Sequence, residues 1–262
     1  MGTRPAAPHA DGPELALPSA GCAAPRPAVS FEPHDLTTDG GTRRLFVSAP
    51  AASEGPRSLV VVLHGNGSSA EDIRRTLPLE ARLGATSVVV YPEARAHAWD
   101  VDAPVATNAD IAFVRTAVTW VESSFCVDTR RRAITGFSSG GYLASALACE
   151  GDFRAVATHA SGGPAPVDDA PDSPSGLFRC TPAAALVFHG VDDRDVPLEE
   201  GMRAAERWRV INRCAPSVTG DGMCEVFGAC DRPVERCVVH GLGHAIADDA
   251  AARTSAFFEA LR

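Results

Sequence analysis

The 262-residue sequence predicts an α/β fold with a mostly parallel central sheet and helices on both faces. Short runs of β-branched and apolar residues alternate along the chain with segments of helical character, an alternation typical of βαβ units. Residues 58–63 are almost entirely apolar, as expected of a strand that is buried on both faces. Residues 109–125 carry apolar side chains at intervals of three and four, which places those side chains on one face of a helix.

The predicted elements follow in order from the same two patterns. Strands are predicted at 44–48, 58–63, 87–91, 132–136, 155–159, 184–188 and 234–239, and helices at 70–83, 109–125, 142–149, 198–213 and 248–261. Pro92 ends the third strand, because proline lacks the N–H that the sheet needs. Residues 1–30 are rich in Pro and Ala without periodicity, so we expect a flexible N-terminal segment followed by one domain at 31–262.

Composition excludes several classes of protein. The chain has 24 Lys and Arg residues, all of them Arg, against 33 Asp and Glu, and its net charge of −9 disfavours binding to nucleic acid. It lacks an apolar stretch of the roughly 18 residues that a membrane span requires. We therefore expect a soluble, monomeric protein without a membrane span and without a nucleic acid partner.

Eight cysteines are scattered along the chain, and none of them forms a Cys-x-x-Cys pair. An even number at wide spacing favours disulfides and hence an oxidising compartment. Residues 1–27 lack the apolar run of a secretory leader, so a leader is not visible in this chain. The cysteines nevertheless favour a secreted, extracellular protein.

The most informative motif is Gly-Phe-Ser-Ser-Gly at 136–140, between a predicted strand and a predicted helix. In this setting a Gly-x-Ser-x-Gly sequence places its serine on a sharp turn, the nucleophile elbow of an α/β-hydrolase. Ser138 is thus the candidate nucleophile. It requires a histidine base and a carboxylate that orients the histidine.

His244 is the candidate base, because it lies in the loop between the last strand and the last helix. His240, at the end of that strand, is the alternative. The acid of an α/β-hydrolase lies between the serine and the histidine in the chain. Asp192, Asp193 and Asp195 all follow the strand at 184–188, and their spacing does not distinguish them.

An oxyanion hole needs two backbone N–H groups directed at the developing negative charge. The residue after the nucleophile, Ser139, supplies one of them. The glycine-containing loop after the strand at 58–63 is expected to supply the other, and Asn66 is the candidate. Trp99 follows the strand at 87–91 at the same sheet edge, where it is a candidate for substrate stacking or, equally, for packing.

These motifs together resemble the secreted esterases grouped as polyhydroxybutyrate depolymerase-like and feruloyl esterase proteins. The resemblance covers residues from about 22 to the end. It is carried by residues at 63–66, 91–92, 99, 125–130, 136–141, 147–149, 189–193, 208, 212–214 and 243–244. It implies that Asp193 is the acid, since His-Gly-x-x-Asp-x-x-Val-Pro stands at 189–197.

The resemblance also implies that most cysteines are bridged, with Cys214–Cys237 and Cys224–Cys230 as candidate local pairs. The Gly-His of the family is usually followed by Trp-Pro-Gly, whereas Ala-Ile-Ala stands at 245–247 here. This departure alters the rim beside the base and leaves the identity of the ester open.

We therefore expect a serine carboxylesterase that needs no metal and no organic cofactor. Its substrates would be feruloyl or acetyl esters of plant polysaccharide, or polyhydroxyalkanoate-type polyesters. The alternatives are a serine peptidase on the same fold, a metal-binding protein that uses its Cys and His residues, and a non-catalytic carbohydrate-binding protein.

Overall fold

The computed structural model describes residues 15–24, 26–38, 40–51, 55–165, 179–220 and 222–261. Within these ranges ten strands form one sheet in the order β1-β2-β4-β3-β5-β6-β7-β10-β9-β8. The strands are β1 (Val29–Thr38), β2 (Gly41–Ala49), β3 (Arg57–Leu63), β4 (Ser87–Pro92), β5 (Val127–Phe137), β6 (Ala155–His159), β7 (Ala184–Gly190), β8 (Val218–Gly220), β9 (Cys224–Phe227) and β10 (Val234–Val239).

The six central strands, from β4 to β10, pair in parallel, and the outer strands are antiparallel. Strands β3, β4, β6 and β7 are buried along their whole length, because helices cover both faces of the sheet. This arrangement confirms the predicted α/β class. Since all six strands run in the same direction, the loops at their carboxyl ends meet at one edge of the sheet.

The helices divide between the two faces of the sheet. One core cluster contains apolar residues of α1 (Ala70–Thr76) and of α6 (Ala250–Glu259), and Leu83 of α2 (Glu80–Leu83). The other core cluster contains residues of α3 (Ala109–Ser124), α4 (Ser139–Cys149) and α5 (Leu198–Ile211). In the part of the chain that the structure describes, no helix combines the length and apolar character that crossing a bilayer requires.

Several predicted boundaries were wrong. The single helix predicted at 70–83 is two helices, because Pro78 cannot donate the backbone hydrogen bond that would continue α1. Strand β5 begins at Val127, five residues before its predicted start. Strands β1, β8 and β9 were not predicted, because they lie at the sheet margins and show little apolar alternation.

Part of the predicted N-terminal segment packs against the end of α3 and the start of β5. The Ser19 N–H donates to the Val127 carbonyl, and its hydroxyl donates to the Phe125 carbonyl. A disulfide joins Cys22 to Cys126. Residues 1–14 lie outside the described residues, and the domain boundary at 30/31 stays a prediction.

All eight cysteines form disulfides, which are Cys22–Cys126, Cys149–Cys180, Cys214–Cys230 and Cys224–Cys237. The predicted pairs Cys214–Cys237 and Cys224–Cys230 were wrong. Antiparallel pairing of β9 with β10 places Cys224 directly opposite Cys237, with their Cα atoms 4.0 Å apart. Because no thiol is left free, the cysteines do not serve as metal ligands.

Candidate active site

Ser138 occupies the sharp turn between β5 and α4. Its backbone has φ 53° and ψ −123°, a strained combination for a residue with a side chain. The Ser138 N–H donates to the His159 carbonyl at 2.9 Å, which fixes the turn to the end of β6. The turn therefore presents the serine at the carboxyl edge of the sheet, as the sequence motif predicts.

The glycines around this turn allow close backbone contact. A Cβ atom on Gly136 would lie 2.3 Å from the Gly140 carbonyl carbon. A Cβ atom on Gly140 would lie 2.4 Å from the His64 carbonyl oxygen. Any side chain at either position would push the turn away from α4 or from the loop that follows β3.

Ser138, His244 and Asp193 form a continuous chain of hydrogen bonds. The Ser138 Oγ lies 3.0 Å from Nε2 of His244, and Nδ1 of His244 lies 2.8 Å from Oδ2 of Asp193. An ionised carboxylate only accepts hydrogen bonds, so the imidazole proton lies on Nδ1. Nε2 is then free to accept the proton of the serine hydroxyl.

Asp193 is the buried member of the three candidate aspartates, whereas Asp192 and Asp195 are exposed. Burial by itself would raise the pKa of Asp193. Hydrogen bonds from His244 and from the N–H groups of Val196 and Asp195 outweigh burial, so the pKa of Asp193 lies below its ordinary value. The carboxylate is therefore ionised and able to orient the imidazole.

The loops that carry the acid and the base are joined through their backbones. The Asp192 N–H donates to the Leu242 carbonyl at 2.9 Å. A Cβ atom on Gly190 would lie 2.2 Å from the same carbonyl oxygen, so glycine is required there. These contacts bring together two residues that are 51 positions apart in the chain. His240, the alternative base, is exposed and lies outside the hydrogen-bonded chain.

The loop after β3 is held in place by the buried imidazole of His64. Nε2 of His64 accepts a hydrogen bond from the Ala94 N–H at 3.0 Å, so its proton lies on Nδ1 and is donated to the Gly65 carbonyl at 2.8 Å. Burial lowers the pKa of His64, in agreement with a neutral ring. The imidazole of His64 therefore helps to shape the turn after β3.

The loop brings Gly65 against the nucleophile, since a Cβ atom on Gly65 would lie 3.3 Å from the Ser138 Cβ. Asn66 follows directly and is exposed. Within the part of the chain that the structure describes, the N–H groups of Asn66 and Ser139 have no hydrogen-bond partner. Two unpaired amides at this position are what an oxyanion hole requires.

Trp99 does not face a cleft. Its side chain is buried, and its Nε1–H donates to the His64 carbonyl at 2.8 Å. This position supports the packing alternative, in which Trp99 fixes the loop that holds Asn66. The stacking alternative would need an exposed ring face, and Trp99 is only 4% exposed.

One residue beside the base was not identified from the sequence. The ring of Phe137 lies 4.8 Å from the imidazole of His244, measured between centroids, at an interplanar angle of 43°. Phe137 is the variable position of the Gly-x-Ser-x-Gly motif, and the motif does not specify what that side chain contacts. The described residues contain no group of three or more His, Cys, Asp or Glu side chains that could hold a metal ion.

Comparisons with known proteins show which proteins the chain is similar to. No family model matches the chain. Feruloyl esterase C of Emericella nidulans is 31% identical over 205 residues, which is 72% of this chain and 70% of that protein. An acetyl xylan esterase from Aspergillus awamori superposes with a TM-score of 0.71 at 14% identity, covering 87% of this chain and 99% of the esterase. Esterase PE8 superposes with a TM-score of 0.57 at 18% identity, covering 82% and 99%.

The fold and the residues at its carboxyl edge define an α/β-hydrolase, and the structural likenesses support the same fold. The chain belongs to the feruloyl esterase family. It is a carboxylic ester hydrolase.

Proposed function

We propose that the chain hydrolyses esters through an acyl-enzyme formed on Ser138, with His244 as general base and Asp193 as the residue that orients it. The observation that carries this proposal is the unbroken hydrogen-bonded chain from the Ser138 Oγ to the Asp193 carboxylate. The three residues follow one another in the sequence as Ser, Asp and His, which is the order found in α/β-hydrolases.

In the first half-reaction the Ser138 Oγ attacks the ester carbonyl while Nε2 of His244 takes the hydroxyl proton. The carbonyl oxygen becomes negatively charged and accepts hydrogen bonds from the unpaired amides of Asn66 and Ser139. The imidazolium then protonates the leaving alkoxide, and the alcohol departs. Because Asp193 is ionised and buried, it stabilises the imidazolium during this step.

In the second half-reaction water takes the place of the alcohol. His244 removes a proton from the water, which attacks the acyl-enzyme, and the same two amides stabilise the second oxyanion. Collapse of this intermediate releases the carboxylic acid and returns the proton to Ser138. The enzyme ends each cycle in its starting protonation state, without a cofactor.

For the substrate we propose feruloyl esters of plant polysaccharide. The support comes from a relative named feruloyl esterase C that is similar along 72% of this chain. We propose in addition that the protein is a monomer and that it acts outside the cell. The extracellular location is supported by its eight cysteines, which are all in disulfides. Acetyl esters, polyhydroxyalkanoate-type polyesters and peptides serve as competing substrates in the test.

The test compares wild-type protein with Ser138→Ala on methyl ferulate, p-nitrophenyl acetate, oligo-hydroxybutyrate and a peptide p-nitroanilide. We expect the highest kcat/KM on methyl ferulate and loss of all esterase activity in Ser138→Ala, with an unchanged circular dichroism spectrum. Retained activity in Ser138→Ala would overturn the mechanism. Preference for one of the other three substrates would overturn the substrate assignment alone.

A further inference from the structure

Two hydrogen bonds do not by themselves fix the orientation of the His244 ring. Nδ1 is held by Asp193 and Nε2 by Ser138, at 2.8 and 3.0 Å. Both contacts lie in the plane of the ring, and they leave it free to tilt about the line that joins its two nitrogens. A third contact on the face of the ring is needed to fix the tilt, and therefore the direction of the Nε2 lone pair.

Phe137 is the aromatic side chain that lies beside the imidazole. Its ring centroid lies 4.8 Å from the imidazole centroid, and the two rings are tilted by 43°. The phenyl ring is also close to the loop after β3, where a Cβ atom on Gly65 would lie 2.8 Å from the Phe137 Cδ1. Phe137 is thus close both to the loop that holds Asn66 and to the base.

The imidazole also lies within the distance at which an aromatic ring attracts a cation. The face of an aromatic ring is negative and attracts a cation within about 6 Å of its centroid. His244 is neutral before the reaction and becomes a cation when it takes the proton of Ser138. The attraction is therefore stronger in the transition state than in the resting enzyme, and such interactions raise kcat.

We infer that Phe137 is a positioning residue for His244. The phenyl ring fixes the tilt of the imidazole and stabilises the imidazolium that forms as Ser138 attacks. This inference rests on the proposed function, because it requires His244 to act as the base. It assigns a role to the variable position of the Gly-x-Ser-x-Gly motif in this chain.

Other groups also influence the charge on His244 and must be held constant. Asp193 faces Nδ1, and Nε2 of His189 lies 3.5 Å from the same carboxylate oxygen. Tyr142 lies within electrostatic range of both Asp193 and Glu200. Substitution of Phe137 leaves all of these side chains in place, so a change in the protonation of the base reports on the phenyl ring.

The test measures pH profiles of kcat and of kcat/KM for Phe137→Leu, which keeps much of the volume but has no aromatic face. We expect kcat and kcat/KM to fall together by about 2- to 30-fold, with KM unchanged. The midpoint of the acid limb of kcat/KM should move to lower pH by about 0.4 to 1.5, because the imidazolium loses a stabilising contact. Phe137→Tyr, which keeps the ring, should restore the acid limb and most of the rate.

The matched control is Phe46→Leu. Phe46 is likewise partly buried and packs against the same core cluster, but its ring partner is Phe31, with centroids 4.4 Å apart. Its substitution should lower the melting temperature without moving the acid limb. Titration of the reactive serine with a phosphonate counts the active sites that are competent in every sample. If Phe137→Leu does not fold, Phe137→Met is compared with wild type in its place.

A Phe137→Leu variant with rates within twofold of wild type and an unmoved acid limb would overturn the inference. A raised KM with an unmoved acid limb would overturn it too, because Phe137 would then act on the substrate. Activity in Ser138→Ala would instead overturn the proposed function. Since the two failures appear in different variants, they are distinguishable.

Discussion

Nε2 of His189 lies 3.5 Å from Oδ2 of Asp193. His189 is near the end of β7, and Asp193 is in the loop just beyond it. Nε2 of His189 also donates a hydrogen bond to the Val196 carbonyl at 2.9 Å. Oδ2 is also the oxygen that accepts the hydrogen bond from His244, whereas Oδ1 accepts two backbone N–H groups. The carboxylate is therefore surrounded by donors and held in one orientation.

This arrangement predicts a large effect of Asp193→Asn. An amide is uncharged, so it does not stabilise the cation of His244, and its NH2 group can donate to Nδ1, which favours the wrong tautomer. We expect kcat on methyl ferulate to fall by roughly 10³- to 10⁴-fold with little change in KM. The control is Asp195→Asn, two residues along the same loop and exposed, which should stay within about twofold of wild type. Equal losses in both variants would contradict the assignment of the acid.

The stability of the protein should depend on pH through His159. Burial lowers the pKa of His159 to about 3, well below its ordinary value of 6.5. Because the folded pKa is depressed, the unfolded chain binds the proton more readily, and stability falls as the pH is lowered from about 6.5 towards 3. His159→Phe, whose ring can stack on Phe188 as the imidazole does, should show a weaker fall in this window.

The measurement is urea unfolding at a series of pH values for wild type, His159→Phe and the exposed control His97→Gln. The control should follow the wild-type curve. Curves for His159→Phe and wild type that run parallel between pH 6.5 and 3 would contradict the prediction.

Gly140→Ala should destabilise the fold and lower activity together. Its new Cβ would lie 2.4 Å from the His64 carbonyl oxygen and would separate α4 from the loop that holds Asn66. We expect a loss of about 1 to 3 kcal/mol in the free energy of unfolding. Gly55→Ala is the control, since its Cβ would meet no atom of the described residues within 4 Å, and its effect should be below about 1 kcal/mol. Wild-type esterase activity in Gly140→Ala would contradict the predicted crowding.

The disulfides should differ in their contribution to stability according to the loops they close. Cys22–Cys126 spans 104 residues, and Cys214–Cys230 spans 16. Chain entropy predicts about 4.7 kcal/mol for a loop of about 100 residues and about 3 kcal/mol for one of about 15. Replacing the first pair by serines should therefore lower the free energy of unfolding by about 1.7 kcal/mol more than replacing the second. Denaturant unfolding of the two double variants measures the difference, and the reverse order would contradict it.

Local pattern was a good guide wherever an element is buried. Strand β3 was predicted at 58–63 and observed at Arg57–Leu63, and β10 was predicted with its observed limits, Val234–Val239. The pattern failed at the margins of the sheet, because β1 and β8 are mostly exposed and do not need alternating apolar residues. The roles of Ser138, Asp193 and His244 stay predictions, which the variants described above test.

The sequence by itself determined the α/β class, the strand-to-helix turn at Ser138 and the order of the candidate catalytic residues, because periodicity and turn motifs depend on neighbours a few positions away. Only the tertiary structure decided which cysteines pair, that Trp99 is buried against the His64 carbonyl and that Phe137 contacts His244. These contacts join residues that are not neighbours in the sequence. Trp99 and His64 are 35 residues apart, and Ser138, which follows Phe137, is 106 residues from His244. Their geometry follows from the order of strands in the sheet and from close packing across it, neither of which a local pattern encodes.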